Sequence, residues 1–311
     1  MDGSVQAEGI DINYLNLPVE ETFFRMLRNQ EFDVAELSLS SYLMGLKNPK
    51  RPFIAIPVFP SCVFRHSGIF VNANSGIVEP KDLIGKRVGT PEYQMTAAVW
   101  IRGILADHHA VPIDSMTYFT GGAEQPGRAE KLKLELPPNI KVERIGPHQT
   151  LSQMLLDGEI DALYTARTPS TFKPSQGKIR RLFPNYGEVE RDYFRKTHIF
   201  PIMHVIVIRR EVYEANRWIA QSLYKAFLKA QQLCYEDLNE NVVLKSMLPW
   251  LNSNVEEVCT EMGDDFWPYG VERTHQTIST LLRYSREQGL TTSMMEPQDL
   301  FAAETLEAFK I

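Results

Sequence analysis

The sequence predicts an α/β protein of two lobes, with a ligand cleft between them and a helical C-terminal part. Three observations carry this. Strand-like segments alternate with amphipathic helical ones through the first two-thirds of the chain, the pattern of a mostly parallel sheet covered on both faces. At 311 residues the chain exceeds one ordinary core. The first α/β unit is also too short to stand alone. The economical path leaves it near residues 72–84, builds a second unit and returns near residue 200. Residues 1–84 and 197–311 then form lobe 1, and residues 85–196 form lobe 2. The cleft is expected at the carboxyl ends of the strands, where open α/β sheets bind ligands.

Each element follows from local pattern. "IDINYLNL" (10–17) alternates like a strand. "PVEETFFRMLRNQ" sets Phe23, Met26 and Leu27 on one helical face behind an acidic first turn. "FDVAELSLSSYLMGL" reads as a short strand to Leu37, then serines that can cap a helix starting near Ser40. "RPFIAIPVF" and "HSGIFVN" are two further strands, broken at Pro60. "KRVGTPEYQMTAAVWIRGIL" (86–105) ends a strand and opens a helix, with Thr90 as cap, Pro91 in the first turn and Glu92 at the positive end of the dipole. "TGGAEQPGRAEKLKLELPPN" is a long loop, either a lid or a surface excursion. "KVERIG" is a strand, and "HQTLSQMLLDGEIDALYT" is a helix, a glycine turn and a strand. "FPIMHVIVIRREV" is apolar enough for a strand buried on both faces. Beyond it "YEANRWIAQSLYKAFLKAQQLCYEDL" carries Ile219, Leu223, Ala226 and Phe227 on one stripe, and helices continue to the end.

Composition narrows the function. Hydrophobic residues make up 43% and charged residues 23%, as in an ordinary globular protein. A net charge of −6 offers no general attraction to nucleic acid or an anionic membrane, so any anion site is local. No apolar run approaches the ~20 residues of a membrane span. The first residues lack the basic-then-apolar pattern of a signal peptide. Cys62, Cys234 and Cys259 lie far apart without zinc spacing and read as buried thiols of a reducing compartment. The expected location is cytoplasmic.

The segments "EFDVAELSLSSYL", "RHSGIFVNANSGI", "DLIGKRVGTPEYQMTAAVWIRGIL", "GGAEQPGRAEK", "GEIDALY" and "YGVERTHQTISTLLRYSREQGL" together resemble the 4,5-dihydroxyphthalate decarboxylase family across nearly the whole chain. "DVAELSLSSYL" and "GGAEQPGR" are fairly specific, whereas "GEIDAL" is common among solute-binding proteins. The resemblance implies a type 2 periplasmic-binding-protein-like fold. Members of the family begin with another strand and a polar loop. Here Met1 falls inside the fold, so lobe 1 is expected to lack that first strand and an upstream in-frame start is expected. The implied activity is non-oxidative decarboxylation of 4,5-dihydroxyphthalate to protocatechuate, with no cofactor. The alternative is a solute-binding protein for an aromatic acid or related anion, and a cytoplasmic ligand sensor is a third reading. The partners left open are a small aromatic carboxylate and further copies of the chain.

Each carboxylate of this substrate is para to a hydroxyl. Decarboxylation therefore needs cations for the carboxylates, a base at the phenol and an acid over the ring carbon. Helix starts at Ser38–Ser40 and Thr90 are either ordinary caps or two anion-facing N-termini from opposite lobes. Arg65, Arg128 and Arg167 are the candidate cations, since a guanidinium fork suits a carboxylate. Arg65 and His66 are expected in one strand, where only one can face the cleft. Tyr93 offers a hydroxyl or a ring face. Tyr164 and Thr165 end a strand where cleft residues usually sit. His66 or His204 is the candidate base and Glu92 the candidate acid, with His204 equally readable as a hydrogen-bonded core residue. No HxH or HExxH spacing supports a metal, and no phosphate loop, dinucleotide fingerprint or nucleophile elbow is present.

Overall fold

A computed structural model describes residues 3–292 and 295–306. In chain order the first half comprises α1 (Val19–Asn29), β1 (Val34–Ser38), α2 (Leu39–Gly45), β2 (Phe53–Ile56), β3 (Ile69–Asn72), β4 (Arg87–Thr90), α3 (Thr96–His109) and β5 (Thr117–Thr120). Then come β6 (Lys141–Arg144), α4 (Leu151–Asp157), β7 (Ala162–Tyr164), β8 (Ile179–Arg181), α5 (Tyr186–Thr197), β9 (His204–Arg209), α6 (Arg210–Ala215), α7 (Trp218–Leu238), α8 (Leu251–Met262) and α9 (Val271–Glu287).

Two sheets organise these elements. The smaller has the order β1-β9-β2, with β9 antiparallel to both neighbours. Val205, Ile206, Val207 and Ile208 are all buried, as the apolar run predicts for a central strand covered on both faces. Its register sets Ser38 opposite His204, at the carboxyl end of β1. The larger sheet has the order β6-β5-β4-β7-β3-β8. β6, β5, β4 and β7 run parallel, so Arg144, Thr120, Thr90 and Tyr164 end their strands along one edge. β3 and β8 close the sheet with antiparallel pairings. Placing β3 there moves the chain's first passage between sheets ahead of Ile69, upstream of the expected 72–84.

Three other expectations meet tertiary structure and change. "IDINYLNL" forms no strand, and Ile12, Tyr14 and Leu15 are exposed. Alternation supplies a face, but a strand also needs a ladder partner, and no described strand runs beside this segment. Arg65 and His66 sit at the start of a 3₁₀ turn over His66–Gly68 instead of in a strand. Of the three cysteines, Cys62 is buried, Cys259 half-buried and Cys234 exposed. No described helix is long and apolar enough to cross a membrane.

α3 is the beam between the larger sheet and the C-terminal helices. The Trp100 indole donates to the Ile202 carbonyl at 2.9 Å and meets the Tyr284 ring of α9 edge-on at 5.6 Å. Gln288 donates to the Val99 carbonyl at 2.9 Å. Gly103 lets the two helices approach this closely, because a Cβ there would lie 2.2 Å from the Tyr284 ring. Alanine is the better helix former by up to ~1 kcal/mol. Overpacking costs about 1–3 kcal/mol and wins here. Gly103→Ala is therefore expected to lower stability, read as a reduced urea midpoint at unchanged slope; an unchanged or raised midpoint would refute the close α3–α9 contact.

Candidate active site

The carboxyl ends of β4, β5 and β6 meet the long loop at residues 121–140, and the turn between β4 and α3 holds them together. The expected helix start at Thr90 is displaced. α3 begins at Thr96 after an N-cap, Met95, that makes no side-chain bond. Thr90 spends its hydroxyl on the Glu92 carbonyl at 3.2 Å, and Met95 N–H donates to the same carbonyl at 3.1 Å, closing a turn. Glu92 is drawn inward to 1% exposure. Its Oε1 accepts from Arg128 Nε at 3.0 Å, Arg128 Nη2 at 2.6 Å and Lys131 Nζ at 2.5 Å, while its Oε2 has no partner. Glu92 thus anchors the loop and is not presented as a free acid.

A second carboxyl, not among the residues expected from the sequence, lies beside this anchor. Glu130 accepts from the Tyr93 amide at 2.6 Å. Burial, reinforced by the neighbouring Glu92 charge, pushes its pKa up to about 7. Nothing in "GRAEKLK" marks Glu130 over its neighbours, because only the folded loop half-buries it. It lines an open cavity of about 360 Å³ together with Arg128, Lys131, Lys133 and Arg144. Leu132, Leu134 and Val142 supply apolar wall. Cations, an apolar surface and a carboxyl near neutrality suit a small aromatic anion.

A second polar group flanks the same turn. Ser38 caps α2, and its Oγ meets Thr96 Oγ1 at 2.9 Å. Ser40 N–H donates to Thr96 Oγ1 at 3.1 Å, so the starts of α2 and α3 touch directly. The hydroxyls of Ser40 and Ser41 are buried without partners. His204, across from Ser38, contacts Glu36 Oε1 through Nδ1 at 2.5 Å, and the Phe23 ring meets its imidazole edge-on at 4.8 Å. Thr96 and Tyr93 are three residues apart, roughly 10 Å of extended chain, so both polar groups border one short turn.

The remaining expected residues differ in their surroundings. His66 is buried beside the His109 ring at 6.5 Å, at the far end of α3 from Thr96. A helix of 14 residues spans roughly 21 Å, so His66 does not join Ser38 and Thr96. Desolvation, with His109 and His108 adding repulsion, lowers its pKa to about 4. Arg65 is 8% exposed and directs Nε at Met203 Sδ, 3.1 Å away. Burial lowers its pKa to about 10, with Glu190 opposing. Tyr164 is wholly buried with its hydroxyl on Met116 Sδ, because the end of β7 is core. Tyr93 is buried beneath the Arg102 guanidinium, 3.9 Å from its ring centre. Thr165 closes a local turn with Arg167, whose exposed guanidinium pairs with Glu20 at 2.8 Å. Of the expected cations, Arg128 alone lines the cavity.

Known proteins give this arrangement a context. The chain is 36% identical over 311 residues to a 4,5-dihydroxyphthalate decarboxylase of Comamonas testosteroni, covering all of this chain and 94% of that protein. It is 42% identical over 195 residues to a 4,5-dihydroxyphthalate decarboxylase of Pseudomonas putida, covering 63% of this chain and 76% of that one. Among solved structures it is similar to a periplasmic sulfonate-binding protein of Methylobacillus flagellatus, with a TM-score of 0.53 and 15% identity over 91% of this chain and 76% of that one. That likeness establishes the periplasmic-binding-protein fold. No protein-family model matches.

Glu130 generates a pH prediction. A carboxyl raised from 4.5 to about 7 by folding contributes stability that is present below pH ~4.5 and lost as pH rises through about 7. Glu130→Gln removes that loss. Urea denaturation of both proteins is expected to show the variant gaining on the parent between pH 5 and pH 7.5; parallel profiles would place Glu130 in solvent.

Proposed function

The chain belongs to the 4,5-dihydroxyphthalate decarboxylase family, and from that premise we propose that it removes one carboxylate from 4,5-dihydroxyphthalate, giving protocatechuate and carbon dioxide. The observation that carries the assignment to this site is Glu130, a carboxyl near neutrality inside a cation-lined cavity at the strand ends.

The substrate's own phenol supplies the electrons. A base removes the proton of the hydroxyl para to the departing carboxylate, and electron density moves to the carbon bearing it. An acid protonates that carbon, carbon dioxide leaves with the carbon–carbon bond breaking towards the ring, and aromaticity returns. The net change is one carboxylate replaced by one hydrogen. Acid and base must act at opposite ends of the ring, which suits two groups on either side of the 91–95 turn. Glu130 is the acid and His204 the base, an imidazole nitrogen that carries no hydrogen being able to accept the phenolic proton. Arg128, Lys131 and Arg144 hold the carboxylates. The two sheets act as the two lobes, with Ser38, Ser40 and Thr96 at their meeting point. An exposed free thiol at Cys234 supports a reducing, cytoplasmic setting.

Turnover of 4,5-dihydroxyphthalate in heavy water tests the assignment. The expected product is protocatechuate carrying one non-exchanged deuterium on the carbon that lost its carboxylate, read by proton NMR and mass spectrometry. Tight uptake of the compound, returned unchanged, would replace the enzyme by a binding protein. His204→Ala and Glu130→Gln are each expected to lower kcat by ~10²–10⁴-fold. Arg144→Ala is expected to weaken substrate binding by ~1.5–3 kcal/mol in calorimetry; wild-type affinity would return it to the solvated surface.

A further inference from the structure

We infer that Glu36 is a positioning residue, which holds the Nδ1 hydrogen of His204 and so fixes the imidazole with its lone pair on Nε2. This rests on the reading of His204 as the phenol base. Glu36 Oε1 and His204 Nδ1 are 2.5 Å apart. An ionised carboxylate only accepts hydrogen bonds, so the neutral imidazole that satisfies it carries its hydrogen on Nδ1. Among the described residues none bonds Nε2, which is left as the proton acceptor.

The strands make this geometry rigid. Glu36 and Ser38 are two residues apart on β1 and share a face. His204 stands opposite Ser38 in the β1–β9 register, so all three side chains lie on that face. Phe23, edge-on to the imidazole at 4.8 Å, restricts its rotation. The side chains of Glu36 and His204 are 27% and 19% exposed, open to a small substrate yet partly withdrawn from water. When Nε2 takes the phenolic proton, the imidazolium keeps its Nδ1 hydrogen on Glu36, and the carboxylate stabilises the new charge. The proton on Nε2 returns to the product phenolate after carbon dioxide leaves.

Wild type, Glu36→Gln and Glu36→Asp, each labelled with ¹⁵N-histidine, test the inference. The His204 signals are assigned by their loss in His204→Gln. The wild-type protein, free of substrate, is expected to show Nδ1 protonated and Nε2 bare. Glutamine can donate to Nδ1 and favour the opposite tautomer, so Glu36→Gln is expected to lower kcat by ~10²–10⁴-fold with KM within about threefold. Glu36→Asp, which keeps a carboxylate, is expected to recover part of that loss and the wild-type tautomer. A purely structural Glu36 would move the melting temperature and KM while sparing the tautomer. An Nε2-protonated His204 in wild type, or Glu36→Gln with undiminished kcat, would overturn the inference. If wild type fails to turn over 4,5-dihydroxyphthalate, the decarboxylase assignment falls, and the ¹⁵N spectrum of the resting protein still decides the Glu36–His204 pairing.

Discussion

The buried carboxylate of Glu92, held by Arg128 and Lys131, is the constraint on which the site depends. Burying a charge costs far more than burying a neutral polar group unless ionised partners come with it. Glu92 obtains both cations from one loop, residues 121–140, and the loop thereby gains a fixed seat over the strand ends. Such a cluster adds little net stability compared with a well-packed apolar one. Its effect is on arrangement: a chain rich in glycine, proline and charge, without helix or strand, is tied to a single place.

That seat has consequences on both sides of the turn. Towards the loop it brings Glu130 onto the Tyr93 amide and beside a second negative charge. Two neighbouring carboxyls then meet different surroundings: one receives an arginine and a lysine, the other receives amides and burial. Divergent environments thus turn the same residue type into an ion-paired anchor at one position and a carboxyl with a raised pKa at the other. Towards the helix, the turn spends Pro91 to Met95 before α3 can begin, and this sets Thr96 against Ser38 and Ser40. The contact joins the larger sheet's first long helix to the smaller sheet, so elements from both sheets border the same few residues.

The smaller sheet contributes through register. β9 enters between β1 and β2 and runs against both, so its first residue lies beside the last residue of β1. Glu36 and His204, 168 positions apart in sequence, become neighbours on one face. A slip of one residue would send His204 to the other face and dissolve the pair. The buried valines and isoleucines of β9 oppose such a slip, which makes core packing and site geometry one requirement.

By itself the sequence determined the elements whose causes are local, together with the family. The apolar stripe of Phe23 and Met26, the continuous run from Val205 to Ile208, the glycine turn at Gly158 and the unstructured 121–140 loop each follow from periodicity or backbone preference within a few residues. Motifs such as "DVAELSLSSYL" carried the resemblance that the relatives bear out. Tertiary structure decided wherever local preference had a competitor. Thr90 has the chemistry of a helix cap, yet the pull on Glu92 spends that hydroxyl on a turn and moves the helix start to Thr96. "IDINYLNL" has a strand's alternation without a described strand beside it to complete a ladder. His66, Tyr164 and Arg167 are the right residue types for the chemistry, but packing sets them at the far end of α3, in the core and in solvent. Glu36 and Glu130 look like ordinary surface acids in the chain, and only long-range pairing and burial give them partners, because a side chain's environment is made by residues its own neighbourhood does not contain.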